Sequence, residues 1–97
     1  MKEEEISTLY LSISGELDQH RAGEIIEEIR EKIHCTLPKK LILDLQELTF
    51  SDSSGIALLL RVKRSMTQIE GELEIRNTQA QPEKLFRIAG LSSLLQS

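Results

Sequence analysis

The chain has 97 residues, a formal charge of −4, 39% hydrophobic and 29% charged residues, a single cysteine and three aromatic residues. These values describe one small globular domain over residues 1–97, exclude an internal disulfide, and argue against grip on a nucleic-acid backbone or stacking of bases on Tyr10, Phe50 and Phe86. The opening "MKEEEIST" is acidic and polar rather than a signal peptide, and no apolar run approaches membrane-spanning length, so a cytoplasmic protein without membrane insertion is expected; no large apolar patch is evident, so a monomer is expected.

Taken in order, Glu3–Thr8 reads as a weak edge strand, and Leu9–Ile13 as a strand with Leu9, Leu11 and Ile13 on one face. "SGELD" ends that strand, and Asp18 is placed to cap a helix. The helix is predicted from Ala22, Ile25, Ile26, Ile29 and Ile33 at helical spacing, with Glu24, Glu27, Glu28, Glu31 and Lys32 on the other face. Pro38 closes it. "KLILDL" (Lys40–Leu45) is a short apolar run suited to a central parallel strand buried on both faces, and "QELTF" follows as a connection. A second helix starts at Ser53 or Ser54 and runs to about Gln68, with Gly71 as its breaker. Leu73 and Ile75 alternate as another strand, and Pro82 suits a first helical position. Gly90 followed by Leu91 reads as a helix C-cap with its hydrophobic contact. The order strand, helix, strand, helix, strand, helix is α/β.

The stretch "TFSDSSGIALLL" (Thr49–Leu60) puts three serines, an aspartate and a glycine ahead of an apolar run. It falls after a central strand and at a helix N-terminus, where unpaired N–H groups and the helix dipole favour negative charge. A serine cap beside Asp52 explains it simply. The same position would also hold a covalently attached phosphate. On a helical wheel from Ser53, residues Ile56, Leu58, Leu59, Val62, Met66 and Ile69 form a buried arc. Ser53, Ala57, Leu60 and Arg64 form a different, outward stripe with the serine at its tip.

Three blocks together, "ISGELDQHRA" (Ile13–Ala22), "LILDLQELTFSDSSGIALLL" (Leu41–Leu60) and "KLFRIAGL" (Lys84–Leu91), resemble the anti-sigma factor antagonists of the STAS domain family in order and spacing. The resemblance covers nearly all of the chain from Leu9 on. It implies a small mixed β-sheet of four to five strands flanked by three to four helices. It also implies that the first serine of D-S-S-G, here Ser53, is phosphorylated by an anti-sigma factor that is itself a serine kinase. In the family the unphosphorylated antagonist binds that anti-sigma factor and frees the sigma factor. Phosphorylation ends binding, and a serine phosphatase restores it. The partner surface expected here is Asp18, His20, Asp52, Ser53, Ser54, Gly55, Ala57, Leu60 and Arg64. Three features differ from the pattern. Ser51 stands where such proteins often carry a larger apolar residue, Glu70 precedes Gly71 where a second glycine is familiar, and the chain stops soon after Leu91.

Other chemistry is weakly represented. Ser53, His20 and Asp52 nominally supply a nucleophile, a base and an orienter, yet Asp52 adjoins Ser53 and no nucleophile elbow is present, so no enzyme is expected. His34 and Cys35 lack partners at metal spacing, and there is no glycine-rich phosphate loop, so neither metal nor cofactor is expected. Asp44 reads as a hydrogen-bonded strand-end residue. The alternative within the same resemblance is an unphosphorylated STAS module of a membrane transporter, docking through Ala57 and Leu60.

Overall fold

The computed structural model describes residues 7–95; the weak strand expected at Glu3–Thr8 lies outside them save for its last residues. In chain order come β1 (Thr8–Ser12), β2 (Gly15–Leu17), α1 (Gln19–Thr36), β3 (Lys40–Asp44) and β4 (Leu48–Ser51). Next are α2 (Ser53–Gln68), β5 (Glu72–Arg76), α3 (Ala80–Ile88) and a 3-10 turn at Ser92–Leu94. The α/β expectation is met by five strands and three helices. The strands divide between two small sheets, one ordered β1-β3-β5 and one made of β2 and β4, and each pairing among the described residues is parallel.

Alternation sorts the larger sheet into two faces. Leu9, Leu11, Leu41, Leu43, Leu73 and Ile75 occupy aligned positions and enter the core. There they meet Ala22, Ile26, Ile29 and Ile33 of α1 and Leu58, Leu59, Val62 and Met66 of α2. The two helices lie side by side, and α3 packs on β4 with Phe86 fully buried. The other face carries Tyr10, Ile42 and Glu74 in one aligned row. Ile42 is buried there too, so the central strand is covered on both sides, as its continuous apolar run implies.

Glu74 is the charged residue buried on that second face. Its Oε1 lies 2.7 Å from Lys40 Nζ, and its Oε2 accepts from Arg76 Nε. The bond from Lys40, then that from Arg76, holds its carboxyl below the ordinary value of 4.5. A depressed folded-state pKa contributes stability that is complete above the ordinary value and is lost as pH falls through the folded one. Urea melts of wild type and Glu74→Gln are therefore expected to differ most near neutrality. The difference should close progressively below pH 4.5.

Several local readings are corrected. "GEL" and "LTFS" are strands, β2 and β4, where a strand end and a connection were expected. Three and four residues are too few for alternation to declare itself. Pro82 is the third residue of α3, not the first, because Gln79 takes the extended cap conformation two residues earlier than expected. A proline without an N–H is still harmless there, since first-turn N–H groups have no helical partner. The helix ends as predicted: Gly90 has φ 83°, Gly90 N–H donates to Arg87 O at 3.0 Å, and Leu91 N–H to Phe86 O at 2.9 Å. After α2 the left-handed residue is Glu70, φ 60°, whereas Gly71 is needed for space. A Cβ at Gly71 would lie 3.0 Å from Lys39 O and 3.1 Å from Pro38 O. Asp44 caps its strand end by accepting from Gln46 N–H at 2.9 Å and Asn77 Nδ2 at 3.3 Å.

Candidate docking site at two paired helix N-termini

The small sheet builds the site. β2 and β4 run in parallel with Leu17 opposite Ser51, and Asp52 N–H donates to Leu17 O at 3.2 Å. The residue after each strand is an aspartate, and each caps the helix that follows. Asp18 Oδ1 accepts from Arg21 N–H at 2.9 Å, and Asp52 Oδ1 from Ser54 N–H at 2.7 Å. Two helix N-termini thus start side by side. An open depression bounded by Asp18, Gln19, His20 and Asp52 lies between them. Asp18, His20 and Asp52, far apart in sequence, are brought together. His20 is well exposed, with Nε2 3.8 Å from Glu24 Oε2.

The three serines occupy three environments. Ser53 is the first residue of α2 and is exposed. It does not cap the helix, as a serine in this cluster was expected to; Asp52 does, because Asp52 has the extended backbone (φ −93°, ψ −169°) and its carboxylate reaches the free N–H of Ser54. Ser54 is half-buried. Ser51 is 0% exposed, with its Oγ donating to Asp52 O at 2.9 Å. A modifying enzyme approaching this loop from solvent meets Ser53 and finds Ser51 closed off.

Ser51 is also held from outside the loop. Gln81 in the first turn of α3 accepts from Ser51 N–H with Oε1 and donates to Ser51 O with Nε2, both at 2.9 Å. The side-chain amide substitutes for a neighbouring strand at the edge of β4. Sequence reasoning missed Gln81 and Ser51 as parts of the site. Thirty residues separate the pair, and no periodic pattern marks a glutamine that binds a distant backbone. Gln81→Ala leaves both backbone groups of a buried residue unpaired, so a loss of about 2 kcal/mol in urea unfolding is expected. Gln81→Met keeps the side-chain length without the amide and should lose nearly as much.

From Ser53 the expected stripe continues down α2. Ala57, Leu60 and Arg64 are all exposed, and Leu60 keeps 49% of its surface in water. Gly55, also expected on the surface, is instead buried against Ser51 and Leu17 and supports the loop from behind. His34 and Cys35 lie at the opposite end of α1, and no group of three or more His, Cys, Asp or Glu side chains gathers at metal-binding distance among the described residues. Among those residues, too, no helix is long and apolar enough to cross a membrane.

Comparison with known proteins places this geometry among relatives. Residues 1–96 match the family model of the STAS domain. An anti-sigma F factor antagonist of Lysinibacillus sphaericus is 31% identical over 84 residues, spanning 87% of this chain and 72% of the relative. Among solved structures, the anti-sigma factor antagonist SpoIIAA in its unphosphorylated form superposes with a TM-score of 0.86 at 26% identity, over 98% of this chain and 83% of that one. The Bacillus cell fate determinant SpoIIAA in its phosphorylated form superposes with a TM-score of 0.75, also at 26% identity, over 98% and 86%.

Proposed function

The chain belongs to the STAS domain family, and from that membership and the geometry above we propose that it is an anti-sigma factor antagonist switched by phosphorylation of Ser53. In this reading it is a non-enzymatic cytoplasmic protein, one domain over residues 1–97. Its unphosphorylated form binds an anti-sigma factor that is also a serine kinase, and so releases a sigma factor. Phosphate on Ser53 ends the complex, and a serine phosphatase resets it. Relatives named for this role, and a solved relative described in a phosphorylated form, support the reading.

The observation that carries it is the contrast among the serines: Ser53 alone of the three is exposed, at the first position of α2 and at the head of a partly apolar outward stripe. Asp18, His20, Asp52, Ser54, Ala57, Leu60 and Arg64 form the remainder of the proposed contact, with Gly55 beneath it. Phosphate there adds about −1.5 to −2 charges. The helix N-terminus tolerates them within this protein, whereas a partner surface packed against the stripe must strip them of water.

The test is peptide-level mass spectrometry after incubation with ATP and the kinase-type anti-sigma factor from the same genome. One phosphate on Ser53, absent from Ser53→Ala, is the expected result. Phosphate on Ser54 overturns the site. A tight complex without phosphate overturns the switch. Neither phosphate nor complex overturns the function and returns the chain to the transporter-module reading.

A further inference from the structure

The exposed face of α2 changes chemistry along its length. Relative to Ser53, Ala57, Leu60, Arg61, Arg64 and Gln68 all fall within roughly 80° on the helical wheel, and all are exposed. The first half is small and apolar; the second half is cationic. Arg61 and Arg64 share a shallow depression with Arg30 of the neighbouring α1, together with Ser65 and Gln68. Among the described residues neither Arg61 nor Arg64 pairs with a carboxylate, and Arg30 meets only Glu27, at 3.4 Å. Three guanidinium groups therefore gather on a chain whose formal charge is −4. Within the described residues no ion pair therefore gives Arg61 or Arg64 a structural role.

Nor do the arginines serve the proposed phosphate. Arg61 and Arg64 lie 8 and 11 residues after Ser53, about 12 and 16 Å along the helix axis at ~1.5 Å per residue. The nearer of these separations already exceeds a screening length of about 8 Å at physiological salt. The opposite end of the same surface holds Asp18 and Asp52. The face thus reads acidic, then apolar, then basic.

Resting on the docking surface proposed above, we infer that Arg30, Arg61 and Arg64 form its second anchor and receive an acidic segment of the anti-sigma factor, carried about 12–16 Å from the point where that partner covers Ser53. Guanidinium groups suit this task because each can pair with a carboxylate in a two-pronged geometry. Two charged ends of opposite sign flanking an apolar centre also fix the direction in which a partner helix or strand lies on α2. Phosphorylation removes contact at one end only. The basic end remains available, so the phosphorylated protein keeps only weak, salt-sensitive encounters with that partner.

The test is the affinity of the unphosphorylated protein for the anti-sigma factor of its own genome, measured by calorimetry at about 50 and about 300 mM NaCl. Arg61→Glu/Arg64→Glu should weaken binding at least about tenfold at low salt and flatten its salt dependence. Arg61→Gln/Arg64→Gln should fall between that variant and wild type. A control of equal charge change away from α2, Lys39→Glu/Lys84→Glu, both exposed, should stay within about twofold. Circular dichroism melts establish that each variant is folded. Unchanged affinity and salt slope in the double reversal, with Leu60→Ala still weakening the complex, overturn the basic anchor and leave the proposed function standing. Equal weakening by the control pair also overturns it, since net charge rather than this cluster then sets the affinity. Absence of any wild-type complex overturns both.

Discussion

Ser53→Asp is expected to weaken binding of the anti-sigma factor at least about a hundredfold, a change of about 2.7 kcal/mol, while leaving the stability of the free protein within about 1 kcal/mol of wild type. The two halves of that result have different causes. Ser53 is exposed at the first position of α2, so an aspartate there displaces nothing in the core. The dipole and unpaired N–H groups of the helix start favour the new carboxylate, and the neighbouring Asp52 opposes it, so the two effects largely cancel. In a complex the cancellation fails. The carboxylate then faces a partner surface without water, and a charge stripped of solvent and left unpaired costs about 2–5 kcal/mol. Ser53→Ala introduces no charge and should bind within a few-fold of wild type while accepting no phosphate. Calorimetry of the complex beside urea melts of the free proteins separates the terms. Equal losses of affinity and stability in Ser53→Asp would show a protein that unfolds rather than one that switches.

What the sequence made legible follows from pattern length. α1 and α2 run 18 and 16 residues, long enough for a 3.6-residue period to repeat several times, and both helices fall where the apolar spacing puts them. Asp18 was identifiable as a cap from its position alone, and the Gly90–Leu91 terminus from its residue types. β2 and β4 carry too few residues for any period, and they are the elements that set the two helix starts side by side. The proximity of Asp18 and His20 to the Asp52 loop therefore rests on the pairing of Leu17 with Ser51, which no period in the sequence marks. Gly55 is expected on the partner surface as part of the D-S-S-G motif, but burial at a helix start depends on what packs behind it. The Gln81 clamp was illegible for a related reason: it joins a side chain to a backbone thirty residues away, and only the folded chain brings them together.

Gly55→Val is the substitution expected to damage the fold most directly at the site, with a loss of about 3 kcal/mol. Gly55 is the third residue of α2, and its backbone does not need a glycine for conformational reasons, since its φ is not positive. It is needed because Ser51 stands behind it. A Cβ at position 55 runs into Ser51 Oγ and lies 3.2 Å from both Ser51 Cβ and Leu17 Cδ2. The hydroxyl can rotate away only by giving up its bond to Asp52 O, Ser51 Cβ is fixed by its backbone, and the Leu17 methyl can shift only within the packed core. Valine adds two methyl groups to that collision. Moving Ser51 to relieve it pulls on the two hydrogen bonds to Gln81 and on the β2–β4 pairing that positions Asp52. Against a typical net stability of about 5–15 kcal/mol, such a loss lowers the urea midpoint strongly. The mechanism also predicts coupling. Ser51→Gly removes the obstructing atoms, so Gly55→Ala should cost less in that background than in wild type, by at least about 0.5 kcal/mol in a double-mutant cycle. Additive costs would mean that Ser51 is not what makes glycine necessary here, and the small residue at position 51 would then have no part in shaping the loop that presents Ser53.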